Sequence, residues 1–246
     1  MIGEASSSGR RLWKAARAWP CSFAVLAFTA AAIPAQAPDA AAIIRKIDAA
    51  VASRFDNVLG STDTEHYAVY RGNDETHPAA EMTVRDTYTK GAGKSYAILS
   101  QSGSSMILRF GLKPLLDNEK TINLPANVEK SWFISANYNM QLKPGGAVSL
   151  NGRSCYVFTI AAKRTAPNTM NGTLWADARD GSLVQIDGIA TASASALSGP
   201  AHMMRQYANI SGFSMAMHAR AESHGAFIGR TVVTIDYSNY QLQTRK

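Results

Sequence analysis

Apolar residues recur at Ile43, Ile47, Val51 and Phe55, with Ile44 and Val58 widening the stripe. Arg45, Lys46, Asp48, Arg54 and Asp56 fill the opposite side. This spacing predicts one amphipathic helix from Pro38 to Leu59, capped by Asp39 and ended by Gly60-Ser61. Beyond it the period shortens to two. Strands are predicted over Glu65–Gly72, Glu81–Lys90 and Ser95–Gln101, separated by a polar loop at Asn73–Pro78 and a turn at Gly91-Ala92-Gly93. The second strand sets Thr83, Arg85, Thr87 and Thr89 against Met82, Val84 and Tyr88.

The middle of the chain loses this alternation. Clustered apolar residues over Ser104–Phe110 and Leu112–Asn118, with Pro114 suited to a first helical turn, predict one or two short helices. A loop at Pro125 and a helical or irregular segment through Trp132 and Phe133 follow. From Asn137 the strand pattern is strongest. Asn151-Gly152 reads as a type I′ hairpin between Ala147–Leu150 and Cys155–Ile160. Asn171-Gly172 reads as the same device before Thr173–Asp177, and a turn at Ala178–Gly181 leads into Leu183–Asp187. Ser211-Gly212 separates Met203–Ile210 from Phe213–Glu222, and Arg230–Tyr240 comes last. Hairpin follows hairpin without a long crossover, so the sheet is expected to be antiparallel.

The N-terminal segment has a different grammar. Arg10, Arg11, Lys14 and Arg17 precede an apolar run from Ser22 to Ile33, and small residues follow at Ala35-Gln36-Ala37. The run is about a dozen residues, short of the roughly 18 that span a bilayer as a helix. Residues 1–37 are therefore expected to be a cleaved export signal, with an uncleaved anchor as the alternative, and 38–246 a single domain. Cleavage after Ala37 would leave Pro38 at the new N-terminus; a cut after Ala32 is the alternative. Arg10-Arg11 leaves general secretory and twin-arginine export both open. Cys21 precedes the apolar run, which excludes it as a lipidated cysteine.

Charge and chemistry narrow the function. Four of the 25 Lys+Arg and one of the 18 Asp+Glu lie before residue 38, so the remainder carries a formal +4. No basic cluster is dense enough for a nucleic-acid footprint, and no nucleic-acid partner is expected. Cys155 alone remains after the signal, which precludes an internal disulfide; set in an apolar strand, it suits a buried inert thiol. The five histidines, His66, His77, His202, His218 and His224, lack zinc-type spacing, although His218 and His224 with Glu222 could approach one another. No nucleophile elbow, phosphate loop or dinucleotide fingerprint is present, so neither an enzyme nor a cofactor nor a metal is expected.

One strand singles itself out. Phe213, Met215, Met217, Ala219 and Ala221 alternate with Ser214, Ala216, His218, Arg220 and Glu222, and Met203 can join the first set from the preceding strand. Two readings stand: methionine-filled core, or adaptable lining of a binding surface.

The phrases Leu150–Phe158, Gly172-Thr173-Leu174-Trp175-Ala176-Asp177, Ser182–Ile186 and Thr234–Tyr240, in this order of elements, resemble the outer-membrane lipoprotein-sorting proteins of the LolA/LolB-like superfamily. The likeness runs over roughly residues 38–242 and rests on structural rather than catalytic motifs. It departs where many relatives carry a Trp-Leu-Pro-like phrase and this chain reads Phe213-Ser214-Met215. The carriers' functional arginine is not carried over to any position. The resemblance implies an α+β fold, mainly antiparallel β: a half-open barrel with an N-terminal helix and short mid-chain helices around an apolar cavity. It implies a monomeric, periplasmic, non-catalytic binder or carrier of lipid or lipoprotein acyl chains. Met203, Phe213, Met215, Met217, Trp175 and Phe158 are the candidate lining. The alternative is a structural or regulatory envelope domain that acts through protein contacts.

Overall fold

The computed structural model describes residues 38–193, 199–225 and 229–245; the export segment expected at 1–37 lies outside the described residues. Asp39 opens helix α1 (Ala40–Asn57), its carboxylate accepting from the Ala41 and Ala42 amides at 2.9 and 3.2 Å. Two of the donors that a helix start leaves unpaired are thereby satisfied. The helical stripe buries Ile43, Ile47 and Val51.

Strand β1 (Val58–Arg71) follows with no intervening loop and begins well before the predicted Glu65. Its early inward positions carry Ser61 and Asp63, and this polar content disguised the alternation. Then come β2 (Ala80–Thr89) and β3 (Gly93–Gly103), and a helical segment made of α2 (Ser105–Ile107), a π-helical turn (Leu108–Leu112) and α3 (Lys113–Ile122). A 3-10 turn (Val128–Ser131) leads to β4 (Tyr138–Leu142), β5 (Val148–Leu150), β6 (Arg153–Ala162), β7 (Met170–Asp177) and β8 (Leu183–Ala190). The last strands are β9 (His202–Ile210), β10 (Phe213–Gly225) and β11 (Gly229–Thr244).

All the strand pairings are antiparallel, in the order β3-β2-β1-β11-β10-β9-β8-β7-β6-β4, with β5 hydrogen-bonded to β6. β3 and β4 are the two ends of this path, so the sheet is open, in keeping with the half-open antiparallel fold implied above.

Cross-strand partners share a face, and the register therefore writes out both faces of the sheet. One row reads Leu142, Phe158, Leu174, Ile186, Arg205, Ala219, Ile235, Tyr67, Met82. The adjacent row reads Val157, Trp175, Gln185, Gln206, His218, Asp236, His66, Thr83. The first row is the inner face. Its β6–β9 half packs under α1 in a cluster with Ile43, Ile47, Tyr138, Met170 and Tyr207. Its β10–β2 half packs with Leu112 and Leu116 from the helical segment. The outer row is polar and internally bonded: Gln206 donates to Gln185 at 3.1 Å, and His218 and Asp236 lie 2.7 Å apart.

Asn151 and Gly152 turn with φ of 50° and 73°, as a type I′ hairpin requires. Asn171-Gly172 does not make a turn; both residues lie inside β7. Gly172 is opposite Gly188 on β8, where a Cβ would stand 2.1 Å from the Asp187 carbonyl oxygen and 2.5 Å from Gly188 Cα. This glycine answers a close approach of two backbones. Gly172→Ala is accordingly expected to lower stability in urea unfolding by at least roughly 1–3 kcal/mol, the usual cost of overpacking. An unchanged midpoint would show that the strands can part freely.

Candidate functional site

The two helical elements cover different halves of the inner face, and between them lies a cavity of about 520 Å³. Its walls come from α1 (Val51, Arg54, Phe55), α3 (Leu115, Glu119, Ile122) and the inner positions of β1, β2, β8, β9, β10 and β11. The segment after α3 closes one side. Ser135 donates from its amide and hydroxyl to Asp48 at 2.8 and 2.6 Å, tying this segment to α1. Trp132 then stacks on Phe55 with ring centroids 4.3 Å apart, and both rings line the cavity.

The sequence-derived candidates do not fall together. Met203 lines the cavity from the inner row of β9, whereas Phe213 and Met215 border it from the part of β10 before the bulge, where Met215 pairs with Ala208 in the phase opposite to Ala216 and Tyr207. Phe158 is fully buried in the cluster beneath α1, and Trp175 belongs to the outer row opposite Gln185. Met217 has no cross-strand partner, because a β-bulge falls between Ala216 and His218. One extra residue moves every later side chain to the other face. Ala216 thus joins the α1 cluster while Ala219 joins the other, an odd number of residues away. Tyr240 donates to the Ala216 carbonyl at 2.7 Å, anchoring the bulge to β11.

The cavity also holds charges that strand alternation alone did not flag as a group. Asp63 and Asp86 are cross-strand partners, and with Glu65 their oxygens gather within 4.8 Å. Lys94 Nζ lies 3.0 Å from Glu65 Oε1 and 3.2 Å from Asp86 Oδ2, the second contact an ion pair without hydrogen-bond geometry. Tyr67 donates to Glu65 Oε2. The cation held among these carboxylates is thus the protein's own ammonium. Asp63 Oδ2 is buried and has no partner among the described residues. Burial, only partly countered by Lys94, pushes the Asp63 carboxyl up to about 7 and the Asp86 carboxyl up to about 6. One visible clue was Asp86, which falls in phase with Met82, Val84 and Tyr88. Asp63 and Glu65 required the true start of β1.

Two arginines complete the site. Arg205 stands at the centre of the inner row between Ile186 and Ala219. Arg54 reaches the cavity from α1, its guanidinium 4.9 Å from the Phe55 ring centroid. The histidines are elsewhere: His66 and His218 lie on the outer face, bonded to Thr83 and Asp236.

No protein-family model and no curated protein matches this chain. Among solved structures it is similar to a LolA superfamily protein from Nitrosomonas europaea, at 15% identity and a TM-score of 0.44, over 85% of this chain and 96% of that one. It is also similar to a putative outer membrane lipoprotein-sorting protein domain from Vibrio parahaemolyticus (11% identity, TM-score 0.44, covering 82% and 91%). A third match is the MucA/MucB complex of Pseudomonas aeruginosa (9% identity, TM-score 0.28, covering 80% and 93%). The first two bear the family name that the sequence phrases suggested.

The raised Asp63 carboxyl has a definite consequence for stability. Its folded value, about 7, lies above the ordinary 3.8, so the folded state holds a proton that the unfolded chain releases. The stability it contributes is complete below pH about 4 and is lost as pH rises through about 7. Asp63→Asn should therefore melt higher than the parent at pH 8, with the gap shrinking toward pH 4. A gap that stays constant over that range would contradict a buried, proton-holding Asp63.

Proposed function

We propose that this chain is an exported, periplasmic, non-catalytic binding or carrier protein that holds one acyl chain in the cavity between α1 and α3. The observation that carries this reading is the cavity itself, whose volume of about 520 Å³ falls within the roughly 300–1,000 Å³ typical of small-molecule sites. Met203, Leu115, Ile186, Val233 and Ile235 give it an apolar lining. Each methylene transferred into such a lining gains about 0.8 kcal/mol, so a short acyl chain suffices for useful affinity. The export-signal grammar of residues 1–37 supports a periplasmic address, and a monomer with one filled cavity needs no second subunit for this task.

Tryptophan fluorescence tests the reading. A brominated fatty acid bound in the cavity should quench Trp132 on its wall and leave Trp175 on the outer face bright. Quenching should persist in Trp175→Phe and largely vanish in Trp132→Phe. Ala219→Phe, which fills the floor, should weaken binding by about tenfold, the loss of one to two buried methylenes. Saturation without quenching, or quenching unaffected by Trp132→Phe, would place the acyl chain elsewhere.

A second reading, a domain that binds envelope proteins, has its own observation. Met106 and Phe110 are each 69% exposed on the helical segment that follows the free edge strand β3. Phe110→Ser should then weaken partner binding while leaving acyl-chain binding intact.

A further inference from the structure

The acyl-chain reading accounts for the apolar lining but not for two guanidinium groups beside it. Arg205 is the charged member of an inner row that is otherwise Leu142, Phe158, Leu174, Ile186, Ala219, Ile235, Tyr67 and Met82. Arg54 enters the same cavity from α1, close enough that the like charge of Arg205 is one influence on it. Neither arginine forms an ion pair among the described residues. The carboxylates nearby act on them without contact: Glu65 and Asp86 are engaged by Lys94, Asp63 influences Arg54 and Glu119 on α3 influences Arg205 only at a distance, and Arg205 is otherwise held by the Tyr207 hydroxyl. Two like charges facing one semi-enclosed space, with no counter-charge in contact, are costly unless an anion joins them.

A third group points the same way. Trp132 lines this cavity, and its Nε1–H is a buried donor without a hydrogen-bond partner among the described residues. It belongs to the same stack as Arg54, whose guanidinium lies against Phe55 while Phe55 lies against Trp132. Stacking engages the flat face of a guanidinium and leaves its edge N–H groups free for an oxyanion. Burial is the main influence that lowers the Arg54 pKa. A bound anion would oppose that shift.

We propose that the cavity selects amphiphiles with an anionic head, a carboxylate or a phosphate monoester, and that Arg54 and Arg205 are the two cations that receive it. This proposal rests on the acyl-chain reading and adds head-group chemistry to it. It places the head inside the cavity rather than in solvent.

Calorimetric titration of the delipidated protein with decanoate, decyl phosphate, decanol and decyltrimethylammonium, all below micellar concentrations, separates the two ideas. The anions are expected to bind more tightly than decanol by about tenfold to a hundredfold, the range of a charge-assisted hydrogen bond. The tighter of the two anions identifies the head. Arg205→Gln and Arg54→Gln should each bring the anions toward the affinity of decanol and leave decanol itself unchanged, whereas Arg109→Gln should alter nothing. Melting curves establish which variants are folded, and Arg54→Gln, on a helix, provides the reading if Arg205→Gln does not fold. Equal binding of decanol and the anions, preference for the ammonium probe, or equal loss of every probe in both variants would overturn head-group recognition while the cavity reading stands. Failure of all four probes to bind the parent protein would overturn the cavity reading itself.

Discussion

An open antiparallel sheet with an apolar inner face must have that face covered, and the covering here comes as two separate pieces. Helix α1 seals the β6–β9 half through Ile43, Ile47 and Val51. The π-turn and α3 seal the β10–β2 half through Leu112 and Leu116. The rest follows from the gap between the two. The sheet is continuous across it, so the hydrogen bonds of the backbone do not depend on what fills it, and the space can persist without breaking the ladder.

What lies in the gap explains why it does not simply collapse. A purely apolar seam would draw α1 and α3 together, because closing it would bury more surface. Instead the seam carries Arg54, Arg205, Glu119 and the Asp63–Glu65–Asp86 group around Lys94. Forcing these groups into a dry contact would strand charges, and the cost of an unpaired buried charge exceeds the gain from a few methylenes. Apolar walls and unmatched charges together define a space suited to a molecule that has both characters. The bulge at Met217 contributes by setting Ala219 and Ala221, rather than larger residues, at the floor beside β11.

Much of this architecture was legible in the sequence. The α1 stripe, the antiparallel order and the Asn151-Gly152 and Ser211-Gly212 turns are local features, and local patterns encode them. The failures have local patterns with non-local causes. Asn171-Gly172 has the composition of a turn, but Gly172 is there because Gly188 passes too close for a side chain. Phe213, Met215 and Met217 keep a perfect period of two, and nothing in that run announces the bulge that separates Met217 from its neighbours. Arg205, by contrast, was readable: it falls in phase with Met203 and Tyr207, where a strand facing a core should be apolar. A charged residue in the apolar phase of a strand is a better indicator of a site than the methionines around it. Asp86 between Val84 and Tyr88 makes the same point.

The central claim is that the seam between α1 and α3 is a hollow that takes an amphiphile by its chain and its head. Nuclear Overhauser contacts between the methylenes of bound decanoate and methyl-labelled methionines test it most directly. The account predicts contacts to Met203, which lines the hollow from the inner row of β9, and none to Met106 on the exposed face of the helical segment. Contacts to Met106, with Met203 silent at saturation, would contradict it.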